Sequence, residues 1–146
     1  MVQTENPIES PDVTAVAEIP AEYRDLLEQP VTVALATILP SGQPQVTPVW
    51  CDLADGHIRV NTDASRQKYR DMVDRPQVTV MALDPANPYR YLEVRGEVVR
   101  TEEEGGAAHI DLLAKQYMGA DVYPYHTPDE RRMICYIAPR KTSAMG

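Results

Sequence analysis

Apolar residues recur along most of this 146-residue chain at the spacing of short β-strands. The run from Val31 to Leu39 is almost continuously apolar and rich in β-branched residues, which predicts a strand covered on both faces. The stretch from Pro44 to Leu53 predicts the return strand of a hairpin. Ala54-Asp55-Gly56 predicts a second turn, leading into a strand from His57 to Thr62.

Further strands are predicted in the second half of the chain, at 77–83, 89–101, 133–137 and 141–145, with Pro139 separating the last two. In the segment 89–101, tyrosine and charged residues alternate with Leu92, Val94 and Val98, so one face is polar. Six or seven short strands without a repeating βαβ unit predict a mainly β protein, an antiparallel barrel that is closed or nearly closed.

Three stretches have helical spacing. Pro20 begins a short predicted helix whose apolar stripe contains Tyr23, Leu26 and Leu27. The longest predicted helix runs from Glu102 to Met118, with an apolar side formed by Ile110, Leu113 and Tyr117. Residues 1–19 are acidic and contain prolines without a sustained period, so we expect a flexible arm followed by one domain at 20–146.

The third helical stretch indicates a site for an anion. It follows the strand at 57–62, and Ser65 is predicted as its N-cap. Arg66, Lys68 and Arg70 lie in its first two turns, where free N–H groups and the helix dipole also favour negative charge. A phosphate is the expected ligand, and an ordinary basic surface helix is the alternative. The predicted buried face comprises Tyr69, Met72 and Val73.

The charge of the whole chain narrows this hypothesis. Fourteen basic and 22 acidic residues give a net charge of −8, which argues against a general nucleic-acid or anionic-membrane binder. A basic cluster in an acidic protein is more consistent with a local site for a small anion. The first twenty residues lack the apolar segment of a signal peptide, and no run reaches the length of a membrane span, so we expect a soluble, cytoplasmic protein.

Candidate chemical groups are sparse. Cys51 and Cys135 lie in strand-like segments without metal-ligand spacing, so we expect buried free thiols and no metal site. Nucleotide-binding and nucleophile motifs are absent, and His57, His109 and His126 are scattered. Catalytic residues therefore stay unassigned, and in an enzyme the reactivity would have to come from a cofactor.

Four stretches in this order carry a family resemblance: VALATILPSGQPQVTPVWCDL, IRVNTDASRQKYRDMVDRP, DPANPYRYLEVRGEVV and ERRMICYIAPRKTSAM. Together they span about residues 26–145. In them the chain resembles the split β-barrel flavin/deazaflavin oxidoreductases, which include the pyridoxamine-5′-phosphate-oxidase-like proteins. It is similar in particular to the actinobacterial branch that uses the deazaflavin coenzyme F420.

The resemblance implies a homodimer with two cofactor sites, each built from both subunits. Arg66 and Lys68, with Gln67 between them, match the residues that bind the cofactor phosphate. Asn61 and Thr62 match positions near the phosphate and the ribityl chain. The strand that lies along the ring system of the cofactor is matched here by Gln45, Thr47, Pro48, Val49 and Trp50. The positions that the other subunit supplies are matched by Tyr89, Tyr91 and Arg132.

Two departures from the family pattern bear on this site. Asp71 replaces a common asparagine, and its carboxylate would repel a phosphate unless Arg70 or Arg75 neutralises it. The chain contains no phenylalanine, so an aromatic wall must come from Trp50 and tyrosines. Each aromatic residue also has a structural alternative, because Trp50 fits a barrel core and Tyr89 and Tyr91 fit interface packing.

The function implied by the resemblance is an F420-dependent oxidoreductase that transfers a hydride from the reduced deazaflavin to an electrophilic small molecule. An activated alkene, a lactone or a quinone fits this description. The first alternative is an FMN-binding oxidase or reductase of the same fold, which would share the phosphate site. The second is a carrier that binds the cofactor without catalysis.

Overall fold

The computed structural model describes residues 17–146, in which an antiparallel sheet curls around one core. Three helices and a short 3₁₀ turn at Ala21–Tyr23 accompany the seven strands of this part of the chain. The helices are α1 (Asp25–Glu28), α2 (Gln67–Asp74) and α3 (Gly106–Met118). The strands are β1 (Val33–Ile38), β2 (Pro44–Val49), β3 (Cys51–Ala54), β4 (His57–Asp63), β5 (Gln77–Leu83), β6 (Tyr91–Glu102) and β7 (Arg132–Met145).

The strand order is β2-β1-β5-β6-β7-β4-β3, and every neighbouring pair is antiparallel. The two edge strands, β2 and β3, are consecutive in the chain and are separated only by Trp50. The sheet must therefore curl until its edges meet at this residue. The predicted mainly β, antiparallel split barrel is confirmed, with seven strands.

The core lies on the concave side of the sheet. It is formed by alternate residues of the strands, by Leu26 and Leu27 of α1 and by Met72 of α2. Cys51 and Cys135 are buried free thiols, as predicted, and burial raises the pKa of each to about 12. They are therefore protonated and belong to the packing of the core.

The start of the described chain also packs on this core. Ile19 is buried in it, and the backbone N–H of Ala17 donates to the carbonyl of Pro139 over 2.7 Å. Most of the predicted flexible arm, residues 1–16, lies outside the described residues.

Several boundaries differ from the sequence prediction. The strand expected at 44–53 breaks at Trp50, because its two halves pair with opposite edges of the sheet. The two strands expected on either side of Pro139 form the single strand β7, which passes the proline at an irregularity opposite Gly96. A Cβ atom on Gly96 would lie 2.7 Å from the carbonyl oxygen of Ala138, so glycine is required at this close approach.

Two further differences concern the ends of β6. The strand continues to Glu102, so α3 begins at Gly106, four residues later than the predicted helix. At its other end the strand begins at Tyr91, which leaves Tyr89 in the preceding loop. The predicted hairpin turn before His57 is confirmed, since Asp55 and Gly56 both have the positive φ of a two-residue turn.

Candidate functional site

A cavity of about 390 Å³ opens where β2 passes into β3, beside the N-terminus of α2 and one side of α3. Cations, an aromatic wall and an apolar floor meet there. Its lining residues are Thr32, Pro48, Val49, Trp50, Asn61, Thr62, Arg66, Lys68, Ile110, Leu113, Tyr123 and Arg132.

The N-terminus of α2 has no side-chain cap. The helix begins at Gln67 with Arg66 in the N-cap position, so the predicted capping by Ser65 is wrong. Ser65 instead lies in a turn, where its backbone N–H donates to the Asp63 carboxylate over 3.1 Å. The N–H groups of the first helical turn are consequently not satisfied by a side chain, which suits binding of an anion.

Two cations at this helix start carry charge that no carboxylate of residues 17–146 offsets. The Lys68 ammonium donates to the hydroxyl of Thr47 over 2.9 Å. Partial burial and repulsion from Arg66 lower the pKa of Lys68. Neither Lys68 nor Arg66 forms an ion pair within this part of the chain. An anion bound between them would relieve both the desolvation and the repulsion.

Asp71 does not counteract this positive charge. Its fully buried carboxylate accepts from the Arg75 guanidinium over 2.9 Å and from the Gln67 amide over 2.7 Å. Arg75 is thus the neutralising partner that the sequence required. Arg70 is directed to neutral acceptors, the Ser65 carbonyl and the Gln67 side chain. The predicted buried face of α2 is confirmed at Met72 but wrong at Val73, which is exposed.

The aromatic wall is formed by Trp50 and tyrosines, as the absence of phenylalanine required. Trp50 stacks on Tyr117 with ring centroids 5.2 Å apart and meets Tyr123 edge to face at 6.2 Å. The Tyr117 hydroxyl accepts from the backbone N–H of Cys51 over 3.1 Å and donates to the carbonyl of Val31 over 2.8 Å. These bonds fix the crossing between β2 and β3, so Trp50 is held at the cavity.

The opposite side of the cavity is polar. The Nε–H of Arg132 donates to Oδ1 of Asn61 over 2.9 Å, and the Arg132 guanidinium lies 5.2 Å from the ring centroid of Tyr123. Asn61 Nδ2 donates to the carbonyl of Gly106 over 2.9 Å. Arg132, which the resemblance assigns to the partner's side, therefore lines the cavity of its own chain.

Tyr123 is positioned by a second polar cluster, on the segment between α3 and β7. Its backbone N–H donates to the Asp111 carboxylate over 2.8 Å. The same carboxylate lies 2.7 Å from Nε2 of His126, while Nδ1 of His126 forms a short hydrogen bond with Glu130. Hydrogen bonds to Glu130 and Asp111 raise the pKa of His126.

Most of the residues predicted for the site meet at this cavity. Eight of them line it: Pro48, Val49, Trp50, Asn61, Thr62, Arg66, Lys68 and Arg132. Thr47 is linked to the cavity through Lys68, and Gln67 contacts Asp71 instead. Gln45, Tyr89 and Tyr91 do not line the cavity of their own chain, and Tyr89 is 76% exposed.

Four lining residues were not predicted. Ile110 and Leu113 were recognised as an apolar helix face, but periodicity does not tell which part of a barrel such a face covers. Thr32 precedes β1 without a distinguishing pattern. Tyr123 lies in a loop rich in tyrosine and proline, and the only sequence signal for it was the requirement for an aromatic wall.

Two other properties of residues 17–146 bear on the type of site. Their His, Cys, Asp and Glu side chains form no group that could hold a metal ion. No helix in this range is long and apolar enough to cross a membrane.

Comparisons with known proteins identify the family. A model of the pyridoxamine 5′-phosphate oxidase family matches residues 19–146. A solved structure described as an F420 reductase shares 35% identity with a TM-score of 0.76, over 86% of this chain and 98% of that one. No curated protein matches the sequence.

Two further solved structures have the same fold. A conserved hypothetical protein from Mycobacterium tuberculosis is 26% identical with a TM-score of 0.69, over 90% of this chain and 87% of that one. A protein of unknown function from Agrobacterium tumefaciens is 21% identical with a TM-score of 0.70, over 94% of this chain and 62% of that one. The family model and the 35% identity confirm the resemblance found in the sequence: the chain belongs to the pyridoxamine-5′-phosphate-oxidase-like family of split β-barrel flavin/deazaflavin oxidoreductases.

Proposed function

We propose that this protein is an F420-dependent oxidoreductase that transfers a hydride from the reduced deazaflavin to an electrophilic small molecule. The carrying observation is the pair Arg66 and Lys68, whose charges are unpaired at an uncapped helix start beside an aromatic-walled cavity. Similarity to a structure described as an F420 reductase favours the deazaflavin as cofactor. An activated alkene, a lactone or a quinone fits the substrate class.

Arg66 and Lys68 would hold the cofactor phosphate. The guanidinium and the ammonium provide charge-assisted donors, and the first N–H groups of α2 add the positive end of the helix dipole. Lys68 is already oriented by Thr47, so little side-chain freedom is lost on binding. Asn61 and Thr62 lie at the end of the neighbouring strand β4, where the ribityl chain would continue from the phosphate.

The ring system would lie along Pro48, Val49 and Trp50, with Tyr123, Ile110 and Leu113 completing an apolar enclosure. A bound reduced deazaflavin supplies a hydride, an electron pair delivered together with its proton. The role of the protein side chains is to align the two reactants and to exclude water. A cavity of about 390 Å³ is within the usual range for small-molecule sites.

A second copy of the chain would complete the site. The outer face of β2, β1 and β5 carries an apolar groove that includes the exposed side chains Val46 and Leu83. Thr32 and Pro48 line both this groove and the cavity, so a partner seated on the groove would reach the cavity mouth. Tyr89 and Tyr91, which do not line their own cavity, are the side chains that we propose the partner contributes.

Two alternatives share the phosphate site. An FMN-binding oxidase or reductase fits the wider family, whose model is named for an enzyme acting on pyridoxamine 5′-phosphate. A cofactor carrier fits the absence of an assigned catalytic acid or base. In all three cases, residues 20–146 would form the cofactor-binding domain.

Equilibrium titration of the purified protein with F420 and with FMN, in parallel, tests the proposal. We expect tighter binding of F420, and oxidation of reduced F420 by an activated alkene or a quinone only in the presence of the protein. Tighter binding of FMN, or FMN retained through purification, would favour the flavin alternative. Tight F420 binding without turnover across a broad panel of acceptors would favour the carrier.

A further inference from the structure

A chain of hydrogen bonds leads from the cavity into the protein behind it. Arg132 Nε–H donates to Asn61 over 2.9 Å, and Asn61 Nδ2 lies 3.1 Å from Nδ1 of His109. Nε2 of His109 in turn lies 3.2 Å from the Asp52 carboxylate, which accepts two hydrogen bonds from Arg59, at 2.9 and 2.7 Å. This series of hydrogen bonds connects β7, β4, α3 and β3.

The direction of every hydrogen bond in this chain is determined by its unambiguous members. A guanidinium can only donate, so the Asn61 atom facing Arg132 is the oxygen. The carbonyl of Gly106 can only accept, so the Asn61 atom facing it is the nitrogen. That nitrogen also faces Nδ1 of His109, which must therefore accept, and the ring proton lies on Nε2 toward Asp52.

At the end of this hydrogen-bond chain that lies away from the cavity, the charges around Asp52 determine its ionisation state. Burial by itself would raise the pKa of Asp52, but hydrogen bonds from His109 and Arg59 outweigh it and lower that pKa. Asp52 is thus a carboxylate that accepts from His109. The His109 side chain is 2% exposed, and neither His109 nor Asp52 lines the cavity.

We propose that His109 and Asp52 are positioning residues that set the amide of Asn61 and, through it, the guanidinium of Arg132 in the cavity. With Nε engaged by Asn61 and Nη1 lying 3.6 Å from the Glu130 carboxylate, Nη2 of Arg132 is the group that an oxygen acceptor of the bound ligand, such as a carbonyl or an anionic group, would contact. The identity of that ligand rests on the proposed function. The arrangement of Arg132 does not.

Two substitutions of the same residue separate the two contacts of His109. An asparagine side chain places its polar atoms near the position of Nδ1, so His109→Asn can still accept from Asn61 but does not reach Asp52. A glutamine side chain reaches the position of Nε2, so His109→Gln can still contact Asp52 but loses the acceptor for Asn61. Both variants remove the ring, so a purely structural role predicts similar effects.

The readout is the Nε–H signal of Arg132 in nitrogen-15-labelled full-length protein, assigned by its loss in Arg132→Lys. We expect a signal protected from solvent exchange in wild type and in His109→Asn, and loss of protection in His109→Gln. In F420 titrations, His109→Gln should bind about three- to tenfold more weakly than wild type, the equivalent of one lost hydrogen bond. His109→Asn should bind more tightly than His109→Gln.

Two results would overturn the proposal. One is an Arg132 signal that is equally protected in both variants or equally lost in both. The other is a wild-type His109 whose ring nitrogen-15 shifts place the proton on Nδ1, and this measurement needs no variant to fold. A wild type that fails to bind F420 would refute the proposed function instead, while both spectroscopic measurements would still decide the role of His109.

Discussion

At the scale of single residues, the proposed cofactor binding depends on the charge of Arg66 and Lys68. Substitution of either residue by alanine removes one charge-assisted contact with the cofactor phosphate, which costs about 1.5–3 kcal/mol of binding free energy. We expect Arg66→Ala/Lys68→Ala to lose most of its affinity for F420 and for FMN in fluorescence titrations. The melting temperature should stay close to that of wild type, since neither side chain forms an ion pair within residues 17–146.

A matched control removes two positive charges elsewhere. Arg24→Ala/Lys115→Ala changes the net charge by the same amount as Arg66→Ala/Lys68→Ala. Arg24 and Lys115 do not line the cavity, so this variant should leave the proposed phosphate site intact. Affinity of the Arg66→Ala/Lys68→Ala protein within a few-fold of wild type would show that the phosphate lies elsewhere. Equal losses in both double variants would indicate a general charge effect.

The sequence could predict a site residue when that residue interacts with neighbours close to it along the chain, and it could not when the partners are distant in sequence. Arg66 and Lys68 were predictable because the start of a helix is a local pattern, and it presents both to one spot. The pairing of Asp71 with Arg75 could be anticipated for the same reason, since they are one helical turn apart. His109 could not be assigned, because its partners Asn61 and Asp52 are 48 and 57 residues away along the chain.

At the scale of elements, the contact of α3 with β7 controls the polar side of the cavity. A Cβ atom on Gly106 would lie 1.9 Å from the carbonyl oxygen of Arg132, so an alanine there must push the helix away from the strand. We expect Gly106→Ala to destabilise the protein by about 1–3 kcal/mol in urea unfolding. It should also weaken cofactor binding, because the side-chain amide of Asn61, which lines the cavity, donates to the Gly106 carbonyl over 2.9 Å.

The neighbouring Ala107 provides the control for this substitution. It is exposed on the same helical turn, so Ala107→Ser adds an atom without meeting β7. If Gly106→Ala were as stable as wild type and bound F420 equally well, the close approach of α3 to β7 would not govern the cavity.

The segment between α3 and β7 should respond to pH through His126. Its pKa is raised above the ordinary 6.5 by Glu130 and Asp111, so protonated His126 stabilises the folded state. This stabilisation is complete below pH 6.5 and disappears as the pH rises through the raised pKa of the folded protein. The free energy of unfolding of wild type should therefore approach that of His126→Gln as the pH increases.

The charged groups that face His126 support this direction. Asp111 keeps a pKa below its usual value, chiefly through the N–H of Tyr123, and so remains ionised across the range. The guanidinium of Arg132 lies 3.6 Å from the Glu130 oxygen that does not face His126. At this distance Arg132 competes only weakly with His126 for the Glu130 carboxylate. A difference between wild type and His126→Gln that is constant, or grows, with rising pH would contradict the prediction.

The elements themselves illustrate what a linear pattern can and cannot specify. The strand at 77–83 was predicted with its actual bounds, because alternation is unambiguous between Pro76 and Asp84. The break at Trp50 was missed, since the residues on both sides have strand-forming patterns and only their pairing partners differ. The same holds at Pro139, which ends a strand in sequence terms but is accommodated opposite Gly96.

At the scale of the whole molecule, the proposed dimer makes a prediction for the outer face of β2. Val46 is 61% exposed there, so Val46→Glu should not impair folding but should oppose burial against a second copy. A stable protein–protein interface buries more than about 1,000 Å². Sedimentation at micromolar concentration should show a dimer for wild type, and dissociation together with weaker F420 binding for Val46→Glu.

Val122 is a matched control, because it is 58% exposed but does not line the groove on that face. Val122→Glu should remain dimeric. A monomeric wild type that binds F420 tightly would refute the shared site, and a dimer unaffected by Val46→Glu would place the interface on another face.

The charge of the molecule as a whole leads to a prediction on cofactor choice. F420 carries a multiply negative glutamyl tail beyond its phosphate, whereas FMN ends at the phosphate. A protein of net charge −8 repels that tail except along a basic path. We expect Arg66, Lys68 and Arg70 to form this path, because Asp71 neutralises Arg75 whereas the side-chain hydrogen bonds of Arg70 within residues 17–146 go to neutral acceptors.

We therefore expect F420 to bind more tightly than FMN at low salt, with a preference that narrows as salt is added. The Debye length falls from about 10 Å at 0.1 M to about 3 Å at 1 M, which screens the tail more than the half-buried phosphate. Arg70→Ala should weaken F420 binding at low salt and leave FMN binding nearly unchanged, as measured by titration of both cofactors at each salt concentration. A preference independent of salt, or an equal effect of Arg70→Ala on both cofactors, would mean that the tail does not follow the start of α2 and that selectivity arises at the aromatic wall around Trp50.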